Sequence, residues 1–150
     1  MVTVAVALGS NLGDRAGHLE HAVARLRSML DNLRVSSVYE TEPVGTPDSQ
    51  ALFLNLAIVG DTALSARGLL SALLAIEEER GRERPFPRAP RTLDLDLVLF
   101  GDLTIDEPHL VVPHPRFRER RFVLQPLAEI APDRIDPVTG QTIKALLDAL

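Results

Sequence analysis

Cysteine is absent from the 150 residues, which excludes disulfides, zinc-thiolate centres and thiol nucleophiles. Lysine is nearly absent, with Lys144 standing alone, and no Gly-x-x-x-x-Gly-Lys segment occurs, so a P-loop is excluded too. No apolar run approaches the roughly 20 residues of a membrane span. The Met1 to Leu8 stretch carries neither a basic region nor a cleavage site, and the expectation is a cytoplasmic protein with no membrane partner. Internal repeats and low-complexity linkers are also missing. What remains is 45% hydrophobic and 25% charged, a globular composition. At this length one domain over 1–150 is expected, burying about two thirds of its unfolded surface.

The formal net charge of −5 argues against a nucleic-acid partner bound over the whole surface. The distribution says more than the sum. Arg80, Arg82, Arg84, Arg88 and Arg91 crowd one stretch, and Arg116, Arg118, Arg120 and Arg121 another. Two basic clusters therefore sit inside an acidic protein.

The pattern predicts the following elements. Val2 to Leu8 is a buried strand, ended by a Gly9-Ser10-Asn11 turn in which Ser10, Asn11 or Asp14 could cap a helix. Leu19, Ala22, Val23, Leu26, Met29, Leu30 and Leu33 recur at helical spacing, which predicts a helix from near Arg15 to Asn32. Arg34 to Thr41 reads as one strand, and 42 to 49 as a long loop of the kind that often carries function. Leu52 to Gly60 is a strand with Phe53, Asn55, Ala57 and Val59 on one face. Ser65 caps a second helix that stops at Gly81. Beyond position 100, short strands at Leu103 to Ile105 and Leu110 to Val112 form a hairpin. Helices follow near Arg118 to Leu127 and from Thr142. The order to position 100 is βαββαβ, the ferredoxin-like arrangement, so the fold class is α+β: one sheet backed by two helices, with a C-terminal hairpin and short helices.

The stretch Arg91 to Phe100 is the centre of the chain. Leu93, Leu95, Leu97 and Leu99 alternate, predicting a strand with one apolar face, while Asp94 and Asp96 share the other. Residues two apart on a strand lie roughly 6.5 Å apart and point the same way, so the carboxylates converge. Aspartate is a poor strand former, and propensity does not explain the pair. Mg²⁺, which takes one or two carboxylates together with water and substrate phosphates, would relieve the repulsion. An ordinary solvated strand face would look the same, and the pair alone does not decide. The arginine loop that feeds into it tilts the balance, because arginine forks and Mg²⁺ both seek phosphate oxygens. Asn55 beside Phe53 suits the polar edge and the face of a flat heterocycle, although the pair alone is better read as a satisfied amide at a sheet edge beside a core Phe. His114, between Pro113 and Pro115, is held rigidly before the second arginine cluster.

Several segments in this order resemble 6-hydroxymethyl-7,8-dihydropterin pyrophosphokinases. They are Gly9 to Leu12, Ser37 to Thr41 with Pro43 and Gly45, Phe53 to Asn55, Glu77 before Gly81 and Arg82, Pro90 to Asp96, and Val112 to Pro115 with Arg120 and Phe122. The resemblance covers nearly the whole chain and implies a ferredoxin-like α+β fold. It implies that the pterin hydroxymethyl oxygen attacks the β-phosphorus of ATP and AMP leaves. Asp94 and Asp96 would hold two Mg²⁺ ions, one of which could lower the pKa of the attacking hydroxyl. Arg82 and Arg91 would stabilise the phosphates and the developing charge, joined at the nucleotide by Arg84, Glu77, His114 and Arg120. The pterin would stack between Phe53 and Phe122, with Asn55 and the Thr41, Pro43 and Val44 segment reading its polar edge. The loops at 42 to 50 and 82 to 91 would order over the substrates. Two positions depart from the family: Arg88 replaces a tryptophan that closes over the site, and Leu74 stands where some relatives place a glutamine near the nucleotide. The substrates expected are therefore ATP and the pterin, and a monomer is expected. An RNA-binding module of similar topology would need an aromatic signature that this acidic chain lacks. A regulatory ligand-binding domain would need the pocket but not the acid pair.

Overall fold

The computed structural model describes residues 1–42, 52–81 and 92–150. The elements run β1 (Val2–Ser10), α1 (Arg15–Arg27), β2 (Asp31–Val35), β3 (Tyr39–Thr41), β4 (Phe53–Thr62), α2 (Ala66–Glu79) and β5 (Asp94–Phe100). A hairpin, β6 (Ile105–Glu107) and β7 (Leu110–Val112), leads to a 3-10 turn (Phe117–Glu119), α3 (Arg121–Ile130) and α4 (Ile143–Asp148). The main sheet is antiparallel, in the order β2-β4-β1-β5, and β3 also pairs with β4. No described helix is long and apolar enough to cross a membrane.

Both faces of this sheet are covered, where helices on one face were expected. Val4, Val6, Leu8, Leu56 and Ile58 pack on one side with Leu19, Leu26, Leu69, Leu73 and Ile76 of α1 and α2. On the other side Ala5, Ala57 and Val59 pack with Phe117, Val123, Leu124 and Leu127. The C-terminal segment is therefore a third layer rather than an appendage.

The alternating leucines of β5 do not keep to one face. Ala5 pairs with Leu99 but Val6 with Leu97, so Val98 is an extra residue in the ladder, a β-bulge. Leu93, Leu95, Leu97 and Phe100 join the first core, and Val98 and Leu99 join the second. The bulge leaves the Asp94 and Asp96 end in its alternating register.

Three boundaries differ from the pattern. Asp14 caps α1 by accepting the Gly17 N–H at 3.1 Å, and an added Cβ on Gly17 would lie 2.2 Å from Asp14 Oδ2. The helix ends at Arg27 rather than Asn32, where the Ser28 hydroxyl donates to the Arg25 carbonyl at 2.6 Å; Asn32 already lies in β2, with φ 53° at the register shift between Asp31 and Arg34. The strand expected over Arg34 to Thr41 is two strands. Between them Ser36 Oγ accepts the Ala57 N–H at 2.9 Å and donates to the Ser37 carbonyl at 2.8 Å, so a side chain substitutes for ladder bonds. The hairpin turns at Pro108 and His109, the latter at φ 64°, which moves its first strand to Ile105–Glu107. Ser65 caps α2 as expected, accepting from Gly68 N–H at 3.0 Å, and Gly81 follows at φ 71°.

A buried clasp holds the third layer. Asp136, with no exposed surface, takes the Arg118 guanidinium at 2.6 Å and 3.0 Å, the Thr139 hydroxyl at 2.7 Å and the Val138 N–H at 3.0 Å. Burial pushes the carboxyl up, but these donors outweigh it and hold its pKa below the usual carboxylate value. Asp136→Ala strands Arg118 and is expected to cost about 2–4 kcal/mol, read as a lower urea midpoint. A cost under about 0.5 kcal/mol would show the clasp to be dispensable.

Candidate active site

Cross-strand register assembles the site on the third-layer face of the sheet. Gly9 of β1 pairs with Asn55 of β4 on one side and Asp94 of β5 on the other, while Tyr39 of β3 pairs with Asn55. One row across four strands thus reads Tyr39, Asn55, Gly9, Asp94. The rows beside it hold Thr41 with Phe53, and Ala57 with Ala7 and Asp96. Because Leu95 and Leu97 face the first core, Asp94 and Asp96 both face this site, half-buried.

Asn55 is 5% exposed and donates from Nδ2 to Thr41 Oγ1 at 2.5 Å. Its Oδ1 lies 3.1 Å from where a Cβ on Gly9 would stand, and Phe53 Cδ1 lies 3.5 Å from the same point. The amide orientation, assigned from this hydrogen bond, turns an acceptor toward Gly9. Gly9 is itself buried and forms the floor beneath Asn55 and Phe53, which close over the space where its side chain would stand. An amide edge beside an aromatic face suits a planar ring.

The third layer supplies the opposite wall. His114 follows a cis Val112–Pro113 peptide, and its N–H donates to the Val98 carbonyl at 3.0 Å. Its Nδ1 accepts the Arg116 N–H at 3.2 Å, which leaves the proton on Nε2. Burial, then the Arg120 charge, lowers its pKa against the pull of Asp94, so the imidazole is neutral at pH 7. Asp94, His114 and Arg120 are therefore close enough to feel one another. The Arg120 guanidinium lies 5.5 Å from the Phe122 ring centre, stacking an expected phosphate ligand on an expected pterin wall.

Glu77, 7% exposed on α2, sits behind the strand and accepts the Leu95 N–H at 2.7 Å, the amide between the two aspartates. Leu74 on the same helix is half exposed. Ser10, at the end of β1, is wholly buried and its hydroxyl has no hydrogen-bond partner; Asp14, not Ser10, caps α1. Arg82, Arg84, Arg91, Pro43, Val44 and Arg88 lie outside the described residues, as do the expected closing loops apart from Glu42. Among the described residues no group of three or more His, Asp or Glu could hold a metal. The donor set left is two carboxylates, hard oxygen ligands that suit Mg²⁺ shared with a phosphate-bearing substrate and do not suit a closed zinc cage. A separate apolar groove of about 590 Å³ lies on the other sheet face, lined by Leu19, Val23, Val38, Leu54 and Leu56.

Sequence reasoning missed Gly9 as the floor and Tyr39 as the neighbour of Asn55. A glycine inside an apolar strand was the available signal for the first.

The family profile described as 7,8-dihydro-6-hydroxymethylpterin-pyrophosphokinase (HPPK) matches residues 5–132. The chain is 50% identical over 127 residues to the 2-amino-4-hydroxy-6-hydroxymethyldihydropteridine pyrophosphokinase of Bacillus subtilis, covering 83% of this chain and 75% of that one. It is 44% identical over 148 residues to the enzyme of the same name from Pseudomonas aeruginosa, covering 97% and 90%. In fold it is similar to wild-type Plasmodium falciparum HPPK-DHPS, with a TM-score of 0.77 at 17% identity; the match takes in 99% of this chain and 44% of that longer chain.

Gly9→Ala would bring a methyl group against Asn55 Oδ1 and Phe53 while leaving both cores untouched. The expected outcome is about tenfold weaker binding of a ring set against Asn55 and Phe53, with a melting temperature within about 3 °C of the parent. Unchanged ligand affinity in a calorimetric titration would remove Gly9 from the site.

Proposed function

This chain belongs to the 7,8-dihydro-6-hydroxymethylpterin-pyrophosphokinase family, and from that premise we propose how its own residues carry the reaction. The protein is an ATP-dependent pyrophosphokinase of folate biosynthesis, transferring pyrophosphate to 6-hydroxymethyl-7,8-dihydropterin and releasing AMP. The observation that carries the residue assignment is the row Asn55, Gly9, Asp94, which sets an amide able to read a heterocycle and an acidic pair on either side of a single glycine.

The pterin sets its polar edge on Asn55 and on the Thr41, Pro43 and Val44 segment. Phe53 and Phe122 stack on its faces. Its hydroxymethyl group then points toward Asp94. Asp94 and Asp96 would hold two Mg²⁺ ions, whose charge when bound would offset the phosphates and make the attacking hydroxyl more acidic. Arg82, Arg84 and Arg91 bind the phosphates, and Arg82 and Arg91 meet the charge that develops as the β-phosphorus is transferred. His114 offers its Nε2–H to the nucleotide, and Arg120, braced on Phe122, lies beside it. Glu77 serves the same site from behind, holding the Leu95 amide so that the two carboxylates stay converged. Little covalent chemistry falls to the protein; its contribution is position and charge.

We assign the core to the ferredoxin-like class on its strand order, with β3 extending the β2 edge along β4. A single pyrophosphokinase domain over 1–150, a monomeric state and a cytoplasmic location complete the proposal.

The test is nucleotide analysis after mixing the protein with MgATP and the pterin. AMP is expected only when the pterin is present. ADP instead of AMP would overturn the assigned transfer. Asp94→Asn and Asp96→Asn are each expected to reduce turnover by at least about 10²-fold, and parental rates in either variant would overturn the metal assignment.

A further inference from the structure

We propose that Glu129 is a positioning residue for the pterin pocket: from α3 it clamps the break between β2 and β3 and so fixes the orientation of the Asn55 amide. The inference rests on the reading of Asn55 as the residue that meets the pterin edge.

Strand β3 is short. Among the described residues it is three residues long and pairs with β4, through Tyr39 with Asn55, Glu40 with Leu54 and Thr41 with Phe53. It lies at the edge of the described sheet. Yet the last of its residues carries the hydroxyl that accepts from Asn55 Nδ2. The two ends of a carboxamide are nearly isosteric, so a side-chain amide keeps one orientation only while its partners stay in place. If Thr41 moves, Asn55 is free to present NH₂ rather than oxygen to a ligand.

The clamp is supplied from the third layer. The Glu129 carboxylate accepts the Ser37 N–H at 3.0 Å and 3.2 Å, the Ser37 hydroxyl at 3.0 Å and the Tyr39 hydroxyl at 2.6 Å. The Tyr39 hydroxyl, then the Ser37 N–H, holds the Glu129 pKa below the usual value. The same contact raises that of Tyr39, so the clamp is carboxylate to phenol at neutral pH. The charge shortens and strengthens these bonds relative to neutral ones. Ser36, next along, is fastened separately to Ala57 of β4.

Helix α3 also carries Phe122 in its first turn. Phe122 and Glu129 are seven residues apart, close to two turns, so they lie on one side of the helix about 10 Å apart. One rigid element thus sets both the aromatic wall and, through Glu129 and Tyr39, the edge strand that orients Asn55. Glu129 touches no substrate in this scheme, and its effect must appear through Asn55.

The experiment compares steady-state constants of the parent with Glu129→Ala, Glu129→Gln, Tyr39→Phe, Asn55→Ala and the Glu129→Ala/Asn55→Ala double variant. Glu129→Ala is expected to raise KM for the pterin about tenfold, with KM for ATP and kcat within about twofold. Glu129→Gln, whose amide oxygen still accepts, should stay within about threefold. The double variant should be no worse than Asn55→Ala alone. Tyr39→Phe keeps the ring and loses one bond, so a shift of about threefold in the pterin KM carries the test if Glu129→Ala does not fold. If both substrates weaken together, Glu129 is merely structural and the proposal fails. If Asn55→Ala weakens the pterin while Glu129→Ala and Tyr39→Phe do not, the clamp fails and the Asn55 reading stands. An Asn55→Ala enzyme with parental pterin KM would overturn both.

Discussion

The register of β1 between β4 and β5 is the constraint from which the site follows. Val2 pairs with Thr62 and the ladder runs without a break to Ser10 with Leu54. Side chains alternate with a period of two, so a slip of one residue would turn Asn55 into the first core and bring Leu54 onto the floor. Such a slip is resisted on both faces at once, because the same strands bury Val6, Leu8 and Ile58 on one side and Ala5, Ala57 and Val59 on the other. The packing of two cores is therefore what places an amide and a carboxylate either side of Gly9.

The two covers end differently. Helices α1 and α2 carry a continuous set of large apolar residues along the first face. On the second, β1 presents Ala5, then Ala7, then Gly9, and α3 packs over the alanine end. Side-chain volume on β1 thus falls to nothing at Gly9, where Asn55 and Phe53 of β4 close over it instead. Glycine and aspartate are both unfavourable in strand interiors, and here they are neighbours. Residues that break local rules while both cores obey them mark the place where sequence is spent on a ligand rather than on stability.

Much of this was legible in the chain itself. The order of helices and strands apart from one split strand, the Ser65 cap and the shared face of Asp94 and Asp96 follow from spacing and residue type, and the structure places them so. The errors came from groups that spacing cannot weigh. Leu99 left its predicted face because one residue bulges at Val98. The strand over Arg34 to Thr41 split because the Ser36 hydroxyl took ladder partners, and α1 ended early because Ser28 turned back on Arg25. The second cover was underestimated because Phe117, Val123, Leu124 and Leu127 belong to short elements whose burial is decided only by what they meet. Glu129 was invisible for the same reason: its partners lie about 90 positions away along the chain.

The acid pair depends on a third carboxylate. Strand β5 ends the sheet, with β1 on one side only, and an edge strand is free to twist unless something takes its unpaired groups. Glu77 takes the amide of Leu95, the residue between the aspartates. Bonding at that peptide limits rotation of the backbone on which both carboxylates stand, so their shared orientation is held from the open edge of the strand. Three acidic side chains then surround one peptide unit. Their mutual repulsion favours cations at this end of the sheet, and Arg91 precedes it while Arg116 and Arg120 follow His114. On the proposed reading, the charge pattern and the strand geometry favour the same thing at the same place: a cation and a phosphate-bearing ligand beside Asp94 and Asp96.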